Sequence, residues 1–217
     1  MKNTLRLICG KVITSPKGLH TRPTTSKVRE AVMNILQGKL KNSHWLDLCS
    51  GSGIMACEAI EKGAQRVLCI ESNKESAQIC KSNLISISSG LTSKTHTQVV
   101  CSDVLKILKK RCSDESFNFN KDFPYNDNRF DLVYIDPPYN SGIYSSILDN
   151  LIIGNWLKKE SIVICEFSKT LIPDISSKWL KINKKVYGNT GLFFLTPNQA
   201  FHFHVDTDSM RPQKVQE

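Results

Sequence analysis

Residues 46–56, LDLCSGSGIMA, decide the fold. Apolar residues of strand character lead into a turn carrying Gly51 and Gly53, and an apolar helical run opens directly after it at Ile54. The glycines stand in a G-x-G-x-x-A spacing, and the next strand, RVLCIE at 66–71, ends on Glu71, eighteen residues beyond Gly53. Glycine here lets a ligand approach the backbone, and an acid at the second strand end can accept hydrogen bonds from ribose hydroxyls. The stretch therefore reads as a strand-turn-helix nucleoside site. By itself it leaves a dinucleotide and S-adenosylmethionine both open.

Outward from this unit the alternation of strand and helix continues. The helix from Ile54 stops at about Lys62 before Gly63; RVLCIE leads to a helix over Lys74 to about Ile85; a polar loop follows at 86–97. QVVCSD (98–103) feeds VLKILKKR (104–111), and FDLVYID (130–136) is a fourth strand. A helix near Ile143–Ile153, the strand SIVICEF (161–167) and two closing strands, WLKINKKVYG (179–188) and GLFFLT (191–196), complete the body. Such repetition predicts an α/β fold, a largely parallel sheet with helices on its faces. Upstream, LRLICGKVIT (5–14) has strand composition, SPKGLHTRPTTS (15–26) is loop, and Val28, Ala31, Val32 and Ile35 recur at helical spacing. That stripe predicts a helix whose Lys27, Arg29 and Glu30 lie nearer solvent.

The fourth strand leaves through Asp136, Pro137, Pro138 and Tyr139. Two prolines fix the backbone and remove two N–H donors, so the corner offers only acceptors. An exocyclic amine on a nucleobase has the complementary chemistry. Asp136 and the Pro137 carbonyl would each accept one N–H, holding the amine and stabilising the positive charge that develops on nitrogen. Tyr139 is placed to stack on a base drawn out of its helix. Asp47, at the end of the first strand of the unit, suits an ammonium group and would repel a pyrophosphate. Asp103, ending the third strand, suits an adenine amine. Both acids have an alternative reading as helix caps. Together they favour S-adenosylmethionine over a dinucleotide.

At 217 residues, 40% hydrophobic and 23% charged, the chain fits one globular domain. No run approaches the roughly 20 apolar residues of a membrane span, and no secretory leader is evident, so a cytoplasmic protein is expected. None of the eight cysteines forms a C-x-x-C pair with another, which argues against a metal site, and their apolar surroundings suit free thiols. His202 and His204 are read as solvated. The formal charge of +9 is concentrated: residues 1–42 hold nine Lys or Arg against Glu30 alone. A cationic segment beside a near-neutral body suits a polyanion, and a merely solvated basic face explains the charge equally well. Residues 113–129, with Phe117, Phe119, Phe123 and Tyr125, interrupt the alternation as a long loop whose aromatics are read as tacking it to the body, with stacking on bases as the alternative.

TRPTTSKVREAVMNIL (21–36), WLDLCSGSGIMACEAIEKGA (45–64), FDLVYIDPPY (130–139) and VYGNTGL (186–192) together resemble the bacterial small-subunit (16S) ribosomal RNA guanine-N2 methyltransferases of the D type. The RPTT..VRE..NIL stretch is the specific part. The resemblance implies a Rossmann-like class I S-adenosylmethionine-dependent methyltransferase fold with a seven-stranded sheet and an antiparallel last strand. It implies a guanine amine of 16S rRNA, free or in an assembling small subunit, as acceptor. Carried over, Asp136, Pro137, Pro138 and Tyr139 are catalytic, and Asp47, Gly51, Gly53, Glu71 and Asp103 bind the cofactor. Arg22 and Thr24 match the loop beside the active site, and Lys11 and Lys17 stand in for the family's arginine-richer opening. The expected organisation is a basic extension over 1–42, a methyltransferase domain over 43–202 and a tail over 203–217, in a monomer without metal. The rivals are a DNA or other RNA amino-methyltransferase, a non-catalytic RNA-binding assembly factor and a dehydrogenase. The 78 residues after Tyr139 leave little room for a DNA-reading domain, the intact Asp136 argues against a mere binder, and Asp47 argues against NAD.

Overall fold

The computed structural model describes residues 3–16, 24–92, 94–114, 127–138 and 142–200. Its elements in chain order are β1 (Thr4–Arg6), β2 (Val12–Thr14), α1 (Ser26–Ile35), β3 (His44–Leu48), α2 (Ile54–Glu61), β4 (Arg66–Glu71), α3 (Lys74–Ser89), β5 (His96–Cys101), α4 (Val104–Leu108), β6 (Phe130–Ile135), α5 (Tyr144–Ile153), β7 (Leu157–Ser168), β8 (Trp179–Tyr187) and β9 (Thr190–Pro197). Seven strands form one sheet in the order β5-β4-β3-β6-β7-β9-β8. β3 to β7 run parallel, and β9 lies antiparallel to both of its neighbours. The expected architecture, including the antiparallel last strand, is present.

The chemistry of the strands explains their positions. β3 and β4 are buried along their whole length, as expected of central parallel strands covered by helices on both faces. Two apolar layers result. Trp45, Val67, Leu132, Tyr134 and Ile164 pack under α1, α2, α3 and the β1–β2 hairpin. Leu46, Leu68, Val133, Ile135 and Val163 pack under α4 and α5 on the opposite face. Alternation along each strand thus assigns odd and even positions to different cores.

Three details depart from the pattern-based expectations. LRLICGKVIT is a hairpin rather than a single strand, because Gly10 at φ +91° lets the chain reverse between Leu7 and Lys11. α3 runs on to Ser89, its serine hydroxyls at 88 and 89 folding back onto the carbonyls of Ile85 and Ser86. On α1 the buried residues are Val28, Arg29, Val32 and Met33, so Arg29 faces inward while Lys27 and Glu30 are exposed. A periodic count places polar residues outside by default; it has no means of finding a buried acid waiting on another helix. That acid is Glu58 of α2, 1% exposed.

Among the described residues no helix is long and apolar enough to cross a membrane. No cluster of three or more His, Cys, Asp or Glu suits a metal there, and all eight cysteines are free thiols. Cys101 and Cys9 are exposed, whereas Cys69 and Cys165 are buried hydrophobes. The aromatics of the 113–129 loop, His202, His204 and the tail lie outside the described residues.

Candidate active site

The strand order reverses direction between β3 and β6. At such a switch point the connections leave in opposite directions, and a crevice opens beyond the carboxyl ends of the strands. Asp47 of β3 and Asp136, directly after β6, flank this crevice. The register pairs Leu48 with Ile135 and carries the Asp136 N–H to the Leu48 carbonyl at 3.3 Å. Because side chains alternate, Asp47, Glu71 and Asp136 all project on the face that carries α1 to α3. Residues of the same parity, Trp45, Cys69 and Tyr134, lie in that face's core.

The glycine turn is built by its own backbone. Cys49, Gly51 and Gly53 have φ values of +63°, +53° and +73°. Cys49 and Ser50 donate their N–H groups to the Ile70 carbonyl, and Gly53 donates to the Ser50 carbonyl at 2.7 Å. Gly53 is the N-cap of α2 and has no side chain to offer. Asp47 takes over part of that task, its Oδ2 accepting the Ala56 N–H at 3.1 Å. Glu71 ties the turn to β4: Oε2 accepts from Gly51 N–H and Oε1 from Asn73 N–H, each at 2.8 Å.

The two glycines differ in what surrounds them. A Cβ on Gly53 would stand 2.5 Å from Cys80 Sγ, whereas one on Gly51 would meet nothing within 4 Å. Gly53→Ala is therefore expected to cost about 2–3 kcal/mol of unfolding free energy, from the left-handed backbone and overpacking together. Gly51→Ala is expected to cost only about 1–2 kcal/mol, through the backbone alone. Urea unfolding monitored by tryptophan fluorescence measures both. A Gly53→Ala variant as stable as the parent would show that α3 yields freely at Cys80.

The electrostatics of the crevice, among the described residues, are set by its acids. Asp47 is 2% exposed, and burial lifts its carboxyl to about 7, helped by the charge of Glu71. Asp136 is half-buried, and burial, Glu166 and Asp47 together push its carboxyl well above the usual range. Like charges crowded in a low dielectric cannot all ionise unless a cation joins them. A ligand carrying positive charge would relieve that repulsion.

The remaining expected site residues are distributed as follows. Asp103 is exposed and caps α4, its Oδ1 accepting the Lys106 N–H at 2.9 Å. One oxygen is thereby used, and the cap reading and the ligand reading are compatible. Pro137 is buried and Pro138 exposed at the mouth of the corner. Thr24 is 7% exposed; its carbonyl accepts from Arg29 at 2.7 Å, and its side chain lies beside the Tyr134 hydroxyl. Lys11 is paired with Glu61 of α2 at 2.6 Å. Tyr139, Lys17 and Arg22 lie outside the described residues.

Two groups escaped the sequence reading. Arg29 donates to Glu58 Oε1 at 3.1 Å and to the carbonyls of Thr24 and Arg6 at 2.7 Å each. It thereby fastens β1 and the start of α1 to α2. Glu166, 3% exposed on β7, accepts the Tyr134 hydroxyl. The only signal for Glu166 was an acid inside the apolar run SIVICEF, where a buried charge needs a partner.

Comparison with known proteins gives a consistent result. The family described as Conserved hypothetical protein 95 matches residues 6–196. An uncharacterized methylase of Rickettsia prowazekii is 30% identical over 228 residues, covering 88% of this chain and 97% of that protein. The ribosomal RNA small subunit methyltransferase D of Buchnera aphidicola subsp. Baizongia pistaciae is 31% identical over 183 residues, covering 79% and 83%. Among solved structures, a putative methyltransferase from Escherichia coli superposes with a TM-score of 0.71 at 23% identity, over 90% of this chain and 98% of that one. A putative methylase from Haemophilus influenzae gives 0.67 at 24% identity, over 90% and 99%.

Proposed function

Because the chain belongs to the Conserved hypothetical protein 95 family, of the small-subunit ribosomal RNA methyltransferase D type, we propose that it methylates the exocyclic N2 amine of a guanine in 16S ribosomal RNA, using S-adenosylmethionine. The observation that carries this reading is the pair Asp47 and Asp136 on either side of the switch point, with the acceptor-only Pro137–Pro138 corner following directly.

The donor, when bound, supplies an electrophilic methyl group on a sulfonium. The residues fit such a molecule: Gly51 leaves open space over the turn, Asp47 suits an ammonium, Glu71 has lone pairs left for ribose hydroxyls, and Asp103 suits an adenine amine. Asp136 and the Pro137 carbonyl hold the guanine amine, whose lone pair is otherwise spread into the ring. Their fixed acceptors stabilise charge as it develops on nitrogen, without reorganisation at the moment of reaction. A strong base is unnecessary, since the alkylated amine is acidic. Tyr139 stacks on the base, and Thr24, Arg22, Lys11 and Lys17 contact RNA from the basic segment 1–42. The substrate is 16S rRNA or an assembling small subunit, met by a monomer.

Incubation with undermethylated 16S rRNA or small subunits and labelled donor, followed by nucleotide mapping, tests the reading. Label on a guanine N2 is expected; label on adenine N6 or cytosine N4, or none, overturns it. RNA binding should also weaken steeply as salt rises, through counterion release.

The raised Asp47 carboxyl adds a pH dependence. The free protein holds a proton on Asp47 below about 7, while an ammonium partner favours the ionised form. Cofactor binding should therefore release a proton and tighten by about tenfold between pH 6 and pH 8. Isothermal titration in buffers of different ionisation enthalpy measures both effects, and Asp47→Asn should flatten the dependence while weakening binding. For folding the sign is opposite. Protonated Asp47 contributes stability that is full below its ordinary 3.8 and lost as pH rises through about 7.

A further inference from the structure

Below the Asp136 corner lie two buried polar side chains, Tyr134 and Glu166, to which the proposed mechanism gives no role. The register sets Ile135 beside Cys165, so Asp136 and Glu166 occupy the next rung of the parallel pair β6–β7. Both share the parity of Tyr134 and Ile164, whose side chains lie in the core beneath α1 to α3. Tyr134, one pleat back from Asp136 and 1% exposed, donates its hydroxyl to Glu166 Oε2 and stacks on Trp45 with ring centroids 6.2 Å apart. Thr24, just ahead of α1, lies beside the same phenol oxygen. From α5, on the opposite face, the Tyr144 hydroxyl donates to the Glu166 carbonyl at 2.5 Å and fixes the strand there. A carboxylate 3% exposed is costly to bury, and nothing in the packing of β7 alone calls for one.

We infer that Glu166 is a positioning residue of the reaction: from the rung beside Asp136 it accepts the Tyr134 hydroxyl and so fixes the end of β6 from which the Asp136 corner leaves. The inference rests on the reading of Asp136 as the amine acceptor. Among the described residues the groups facing Asp136 are Asp47 on β3, Cys49 on the glycine turn, Tyr134 on its own strand and Glu166 on β7. Glu71 of β4 acts on Asp47, and Thr24 reaches the corner through Tyr134. Burial is the largest cause of the raised Asp136 carboxyl, followed by Glu166 and then Asp47. Glu166→Gln keeps the shape and an acceptor for Tyr134 but removes the charge.

The test uses the full chain with aspartate side chains 13C-labelled at the carboxyl, Asp136 being assigned from Asp136→Asn. Glu166→Gln should lower the Asp136 titration midpoint and move the acid limb of kcat/KM for RNA in the same direction. Tyr134→Phe, which keeps the ring on Trp45, should lower kcat about tenfold, the size of a lost hydrogen bond to a charged group, with KM for RNA within twofold. An unmoved Asp136 midpoint in Glu166→Gln overturns the inference. Should that variant fail to fold, undiminished kcat in Tyr134→Phe overturns it instead. The carboxyl titration needs no RNA, so an inactive parent protein would count against the proposed function alone.

Discussion

Asp136→Ala should lower methyl transfer to 16S rRNA by at least about a hundredfold, the scale of losing one preorganised stabilising group, while cofactor affinity stays within a few-fold. In the proposed reaction the amine nitrogen offers two protons, and the corner would meet them with two acceptors, an Asp136 carboxyl oxygen and the Pro137 carbonyl. Removing one lets the amine rotate and leaves the charge developing on nitrogen half-stabilised. Cofactor affinity is spared because Asp47, Gly51 and Glu71 belong to a different stretch of backbone, held by Ile70, Ala56 and Asn73. The substitution should not weaken the fold either, since burial and two neighbouring acids already strain the Asp136 carboxyl. The clean outcome is a drop in kcat with unchanged unfolding, read from labelled-donor transfer and urea titration side by side. Turnover equal to the parent's would remove Asp136 from the mechanism.

Arg29→Ala should be the most damaging single change to stability, costing about 3–5 kcal/mol. The guanidinium and Glu58 are 6% and 1% exposed as side chains. Truncation would leave the Glu58 carboxylate buried without its cation and two backbone carbonyls, those of Thr24 and Arg6, without these donors. Glu58 already titrates above its usual range because of burial, and the Arg29 charge is among the forces opposing that shift. The expected fall in thermal midpoint is roughly 10 °C for a chain of this size. Arg29→Met combined with Glu58→Leu should recover part of the loss, because no unpaired charge then remains. A double variant no better than Arg29→Ala would show that the backbone groups left behind, the two carbonyls and the Ile8 N–H that Glu58 accepts, outweigh the stranded acid. Arg29→Lys should fail to rescue fully, since an ammonium cannot reach three acceptors from one planar fork.

Both predictions concern residues of different legibility. Asp136 is announced by its company: an acid before two prolines also reads as a turn with a capping Asp, and it is the chain order with Asp47, Gly51, Gly53, Glu71 and Asp103 that tips the reading to chemistry. Arg29 reads as a surface residue of an amphipathic helix, and only the approach of α2 reveals otherwise. The same holds for Asp47 and Asp103, both of which allow cap and ligand readings. Asp103 caps α4 in the ordinary local way, three residues from its donor. Asp47 serves α2 from nine residues away, on a strand rather than at the helix start, because Gly53 cannot cap and the turn brings the strand end beneath the helix.

What the sequence determined by itself was everything that local chemistry and periodicity encode. This covers the order of strands and helices from α1 onward, the glycine turn, the acids at strand ends, and the proline corner. Each depends on residues within one turn or one pleat of each other. Tertiary structure alone decided which acids share a face. Asp136 and Glu166 are thirty residues apart in the chain and neighbours only because β6 and β7 pair in register; Arg29 and Glu58 meet because α1 and α2 cover the same core. A buried charge takes its partner from whatever element the packing brings closest, and no pattern along one strand or helix records that choice.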